Sequence, residues 1–109
     1  MREEIFAVEF PKPIPVPTPE WPALDGKLFV RALSAAERDA YEASLSDGRL
    51  ENWRAKLVVF AACDAEGRRI FEDGDVERVG RCPATLVARL FEAANRLSRT
   101  DALEDSVKN

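Results

Sequence analysis

Side chains that can move a proton, hold a metal or attack a bond are few in this sequence. It contains no histidine, so Ser-His-Asp and Cys-His catalysis, H-E-x-x-H zinc hydrolysis and imidazole acid/base steps cannot be built from this chain alone. Cys63 and Cys82 have neither C-x-x-C spacing nor histidine company. Disulfide, zinc and thioredoxin-like readings therefore lack support, and two ordinary semi-buried thiols are expected. Carboxylates are denser, with Asp64, Glu66, Glu72, Asp73, Asp75 and Glu77 in one stretch. An EF-hand loop needs an acidic ligand five residues before its glycine, but Ala62 holds that place for Gly67 and Arg69 for Gly74. These acids are expected to cap helices and face water. The same reasoning weakens a paired-carboxylate enzyme built on Glu72, Asp73 and Asp75, because no apolar pocket residue beside them points to a raised pKa. The glycines at 26, 48, 67, 74 and 80 are scattered, and no G-x-x-x-x-G-K-[ST] occurs, so no phosphate cradle is visible. No catalytic residue, metal or cofactor is expected.

Charge and length narrow the partners. Twenty acidic against 16 basic residues give a net charge of -4, which opposes contact with phosphate backbones and excludes nucleic acid from the expected partners. At 109 residues the chain fits one domain, and 46% apolar with 33% charged content excludes a disordered acidic tail, a collagen-like chain and a membrane-embedded protein. The longest apolar run, Leu57 to Cys63, is far below a membrane span, and Met1-Arg2-Glu3-Glu4 leads into no signal-like apolar region. A cytosolic protein is expected.

The elements that would position these residues follow from periodicity. Phe6, Val8 and Phe10 alternate as on a half-buried strand, with a flexible arm as the alternative. Proline at every second position from 11 to 19 fixes an extended path, suited to a stiff linker, an edge strand or a ligand for an aromatic-lined groove. Val16 to Arg31 reads as a hairpin turning at Asp25-Gly26. Ser34-Ala35-Ala36-Glu37 is a capping box opening a helix to about Leu45, with Ala36, Ala40, Tyr41 and Leu45 inward, ended by Asp47-Gly48. A second helix over 51–63 carries Leu50, Trp53, Leu57, Phe60 and Ala61 on one face. Its second half is apolar all round, and Val58, Val59 and Phe60 would also suit a strand. Arg69-Ile70-Phe71 is a short strand or extended return, and 73–80 a short helix capped by Asp73 and stopped by Gly80. Pro83 opens the clearest helix, striped by Leu86, Leu90, Leu97, Val87, Phe91 and Ala94. The fold expected is α+β and mostly helical: a small antiparallel hairpin packed on three main helices plus one short one. Residues 1–15 form an arm, 16–98 the domain, and 99–109 a frayed or weakly helical tail.

The order of these blocks resembles tail assembly chaperones of long-tailed, siphovirus-type bacteriophages or prophages. The resemblance is carried by Pro19-Glu20-Trp21, Phe29-Val30-Arg31-Ala32-Leu33-Ser34, Ala36 to Glu42 and Arg54 to Val58. It continues through Cys63 to Gly67, Ile70-Phe71, Asp75-Val76-Glu77 and Leu86 to Leu97, covering about residues 16–97. It implies a non-catalytic protein of the bacterial host's cytoplasm that keeps a helical tape-measure protein soluble until the tail tube forms. It also implies a possible frameshift-extended form that recruits the tail-tube subunit. Such a role needs surplus apolar helix surface. Trp53, Leu86, Leu90 and Phe91 are the candidates for partner binding, each also fitting a core position. Phe6, Val8 and Phe10 are the candidates for self-association into a homo-oligomer through a neighbouring sheet edge. The competing expectation is an acidic adaptor or antitoxin-like module that masks a basic protein.

Overall fold

The computed structural model describes residues 1–46, 48 and 50–98, the last by its backbone alone. In chain order it contains α1 (Arg2–Phe6), β1 (Ile14–Pro15), β2 (Phe29–Val30), α2 (Ala35–Ala43) and α3 (Trp53–Ala61). There follow β3 (Ala62–Cys63), a 3₁₀ turn at Asp73–Asp75 running into α4 (Val76–Gly80), and α5 (Ala84–Ser98). The architecture is α+β, with several helices on a three-stranded antiparallel sheet of order β1-β2-β3. An antiparallel hairpin is present as expected, but its first strand lies just before the expected start at Val16, pairing Ile14 with Val30 and Pro15 with Phe29. A third strand joins it, pairing Phe29 with Cys63 and Val30 with Ala62. The tail expected over 99–109, and Asp47 of the expected helix stop, lie outside the described residues. Among the described residues no helix is long and apolar enough to cross a membrane.

The core is built around α3. Leu57, Val58 and Val59 are all at most 1% exposed. Three successive helical residues span about 200° of circumference, so one covering neighbour cannot bury them. Here α5 and α4 pack against α3, with α2 also in contact. The expected helix over 51–63 is shorter than its apolar run: Ala62 turns extended, with φ -66° and ψ 131°, and the chain enters β3 without a loop. A helix ending in the core must find partners for its last carbonyls. Arg69 Nη2 donates to the Val59 carbonyl at 2.9 Å and Arg31 Nη2 to that of Phe60 at 2.8 Å. The Arg31 amide donates to Ala61 at 3.0 Å. Two arginines and a strand amide thus take over where the helix bonding stops, and their positive charge suits the helix C-terminus.

Local signals elsewhere work with one or two displacements. At Ser34 the capping box is complete, the hydroxyl accepting from the Glu37 amide at 3.1 Å and the carboxylate from the Ser34 amide at 2.9 Å. The helix ends at Ala43, short of Leu45, and of its expected inward residues Tyr41 is buried while Ala36 and Ala40 are exposed. Asp73 does not cap the short helix; it pairs with Arg69 at 2.9 Å, while Asp75 accepts the Glu72 amide at 2.8 Å. Asp64 accepts the amides of Glu66 and Arg68, both at 2.9 Å. The expected strand over Phe6, Val8 and Phe10 is not formed. Phe6 ends α1, the backbone from Val8 to Phe10 is irregular, and all three side chains stay exposed.

Candidate functional site

An open concave surface lies at the α3–α5 boundary. Leu50 precedes the helix and donates no cover to the core, being 64% exposed, although the sequence pattern placed it on the inward face. Asn52 takes a left-handed conformation, φ 57°, and turns the chain into α3, whose first residue is Trp53. Gly80, the end of α4, lies so near that a methyl group there would stand 2.3 Å from Asn52 Oδ1. After the turn at Arg81 and Cys82, α5 begins. Its Val87, Leu90 and Ala94 face the core, while Ala84, Ala88 and Glu92, spaced four apart, share the neighbouring face. Between the start of α3 and this second face lies an open cleft of about 450 Å³, lined also by Arg54 and Cys82.

Trp53 lines the cleft, and Phe91 packs against Trp53. Trp53 and Phe91 meet edge-to-face, centroids 4.9 Å apart and planes at 78°, and both are half-buried. Such a pair contributes about 0.5–1.5 kcal/mol beyond the area it buries. The Arg54 guanidinium sits 4.3 Å from the Trp53 ring centroid, a cation–π contact that leaves it exposed. No family model, curated protein or solved structure matches the chain. What the cleft offers must be read from its own side chains. These are one tryptophan, a leucine, a valine, several small residues, an asparagine, one cation and one carboxylate, a set suited to holding apolar side chains with a polar flank. Among the described residues no group of three or more acidic or cysteine side chains could hold a metal ion.

The sequence-predicted site residues separate. Trp53 and Phe91 come together, and of the two Trp53 lines the cleft. Leu86 is half-buried against the core, and Leu90, 3% exposed, belongs wholly to it, since the core face of α5 passes through that position. Leu90 therefore presents nothing to a partner in the folded chain. Phe6, Val8 and Phe10 are 69%, 76% and 63% exposed, but share no strand face. Sequence reading missed Leu50 as a surface group and Arg54 as the cover of Trp53. The i,i+1 arginine beside a helix-start tryptophan was the available signal for the second.

The strongly shifted titrating groups lie away from this cleft. Hydrogen bonding to Arg89 holds the Glu20 carboxyl at about 2, through contacts of 2.8 and 2.5 Å that fasten the end of the proline segment to α5. Arg31, through bonds of 3.1 and 2.6 Å, draws the Glu37 carboxyl below its ordinary value. Burial pushes the Cys63 thiol up to about 11, where it is a small apolar group rather than a nucleophile.

Proposed function

We propose that the protein is a non-catalytic tail assembly chaperone of a long-tailed phage or prophage, holding a helical tape-measure protein dispersed in the cytoplasm of the bacterial host. The observation that carries this reading is the Trp53–Phe91 pair, whose Trp53 lines an open cleft with Leu50, Val87 and several small side chains, beside the polar Asn52, Arg54 and Glu92. An amphipathic helix exposes an apolar stripe at i, i+3, i+4 and i+7, and a groove with aromatic anchors covers such a stripe reversibly. The block order over residues 16–97 supports the same reading, and the net charge of -4 would keep the complex dispersed. Under it, a frameshift-extended form would bring the tail-tube subunit, and several copies would cover one long target.

Expression from the native DNA context with an N-terminal tag, capture, and mass spectrometry of the retained proteins test the proposal. A long helical partner, together with a minor C-terminally extended form, is the expected result. Trp53→Ala and Phe91→Ala should each weaken retention by about tenfold or more, as truncation of aromatic anchors does, while leaving the melt cooperative. A small basic protein as the sole partner would replace this reading with that of an acidic masking adaptor.

A further inference from the structure

The sheet has two outer edges, and they are closed by different means. Beyond β3 the chain returns alongside it: Cys63 bridges Arg69, and the Ile70 amide donates to Ala62 at 3.1 Å. That edge is covered by the protein's own backbone. The other edge is β1, which among the described residues pairs with no further strand.

In an antiparallel strand the amide and carbonyl of one residue point to the same side, and those of the next residue to the opposite side. The Val16 amide donates inward to the Leu28 carbonyl at 2.9 Å, and the Thr18 amide to the Asp25 carboxylate at 3.0 Å. Even-numbered residues therefore direct their amides toward the hairpin, and Val16 and Thr18 also turn their side chains into the core, 3% and 0% exposed. Along this stretch the odd positions 15 and 17 face outward along the open edge, and both are proline, within a run that has proline at each odd position from 11 to 19. Where the strand would offer its outward N–H groups, it has none. Of the outward carbonyls, that of Pro17 accepts Arg89 Nη1 at 3.1 Å, so α5 reaches round to occupy it.

We infer that the proline repeat closes this edge to strand addition by second copies and by other extended chains. Its period matches the strand's own, so it removes the outward donors at 15 and 17 while sparing the inward amides of Val16 and Thr18. An edge strand with free donors and acceptors pairs with whatever strand it meets, and one with acceptors alone cannot complete a ladder. The inference is independent of the proposed function.

The test restores the donors. Pro15 and Pro17 are both exposed, so Pro15→Val with Pro17→Val adds two outward amides without disturbing the core. Light scattering of this variant across a dilution series is expected to give a weight-average mass rising with concentration toward twice that of the wild type. A semisynthetic chain joined at Cys63, with N-methylvaline at both positions, keeps the new side chains but not the amide hydrogens. It is expected to match the wild type. A folded double variant with wild-type mass throughout overturns the inference, as does equal association of the N-methyl chain. Should the double variant lose its cooperative melt, Pro15→Val alone is read against its N-methyl counterpart by the same criteria.

Discussion

Residue identity matters most where backbones approach closely, and Gly80 against Asn52 is the clearest case. At a helical position of ordinary negative φ, alanine is normally favoured over glycine by about 0.5–1 kcal/mol. The backbone of Gly80 is not in the left-handed region, so conformation raises no objection. Space does, because the added methyl would stand 2.3 Å from Asn52 Oδ1 and 2.9 Å from its Cγ. Room for the methyl requires the Asn52 side chain to turn out of the place it fills beside α4. Gly80→Ala is therefore expected to lower stability by about 1 kcal/mol, within the usual range for overpacking. In an Asn52→Gly background, where the obstructing side chain is gone and φ 57° suits glycine, the same change should become neutral or stabilising. Urea midpoints of the two single variants and the double variant check this, and additive effects would contradict the contact.

At the scale of elements, the Arg31–Glu37 pair joins β2's exit, the start of α2 and the end of α3. Its side chains are only 16% and 25% exposed, so solvent screens them less than a surface pair. Glu37 has a folded pKa below its ordinary 4.5. Its stabilisation is therefore complete well above pH 4.5 and is lost as pH falls through the folded value. Glu37→Gln is expected to cost about 1–3 kcal/mol at pH 7, because Arg31 keeps its place with a poorer partner. The gap from wild type should narrow by pH 3, as measured by urea midpoints at the two pH values; parallel pH curves would count against the pair. This junction also shows what was legible in the sequence. Ser34-x-x-Glu37 announces a helix start through bonds between residues three apart, so it survives any tertiary context. The end of α3 does not announce itself. Leu57 to Cys63 has no period when buried on all sides, and the switch to β3 after Ala61 depends on Arg31 and Arg69, distant in sequence. The alternation of Phe6, Val8 and Phe10 misled for the complementary reason. A strand needs a partner, and β1 presents prolines along the edge where one would pair. Trp53 and Phe91 were legible as large apolar groups near helix faces; the cleft that Trp53 lines with Leu50 was not, because it is made by the docking of α4 and α5 on α3.

For the whole molecule, burial locates where the folded unit begins. Residues 1–12 are exposed throughout. The hydrogen bonds of α1 and its ion pairs, Met1 with Glu4 and Arg2 with Glu3, run within the arm itself. Apolar groups exposed in both folded and unfolded states contribute no burial to stability. Deleting residues 2–9 should therefore move the thermal midpoint by far less than the roughly 4–8 °C that 1 kcal/mol produces in a domain of this size. Extending the deletion through Thr18 should abolish the cooperative melt. It removes Val16 and Thr18 from the core, strips β2 of the strand beside it, and takes the Pro17 carbonyl from Arg89. Equal loss in both truncations would mean that the arm packs on the domain. A retained melt in the longer one would mean that β2 and β3 hold their places without β1. The expected contrast puts the edge of the cooperative unit between Phe10 and Val16, so any role of the exposed Phe6, Val8 and Phe10 lies in contacts beyond the folded monomer.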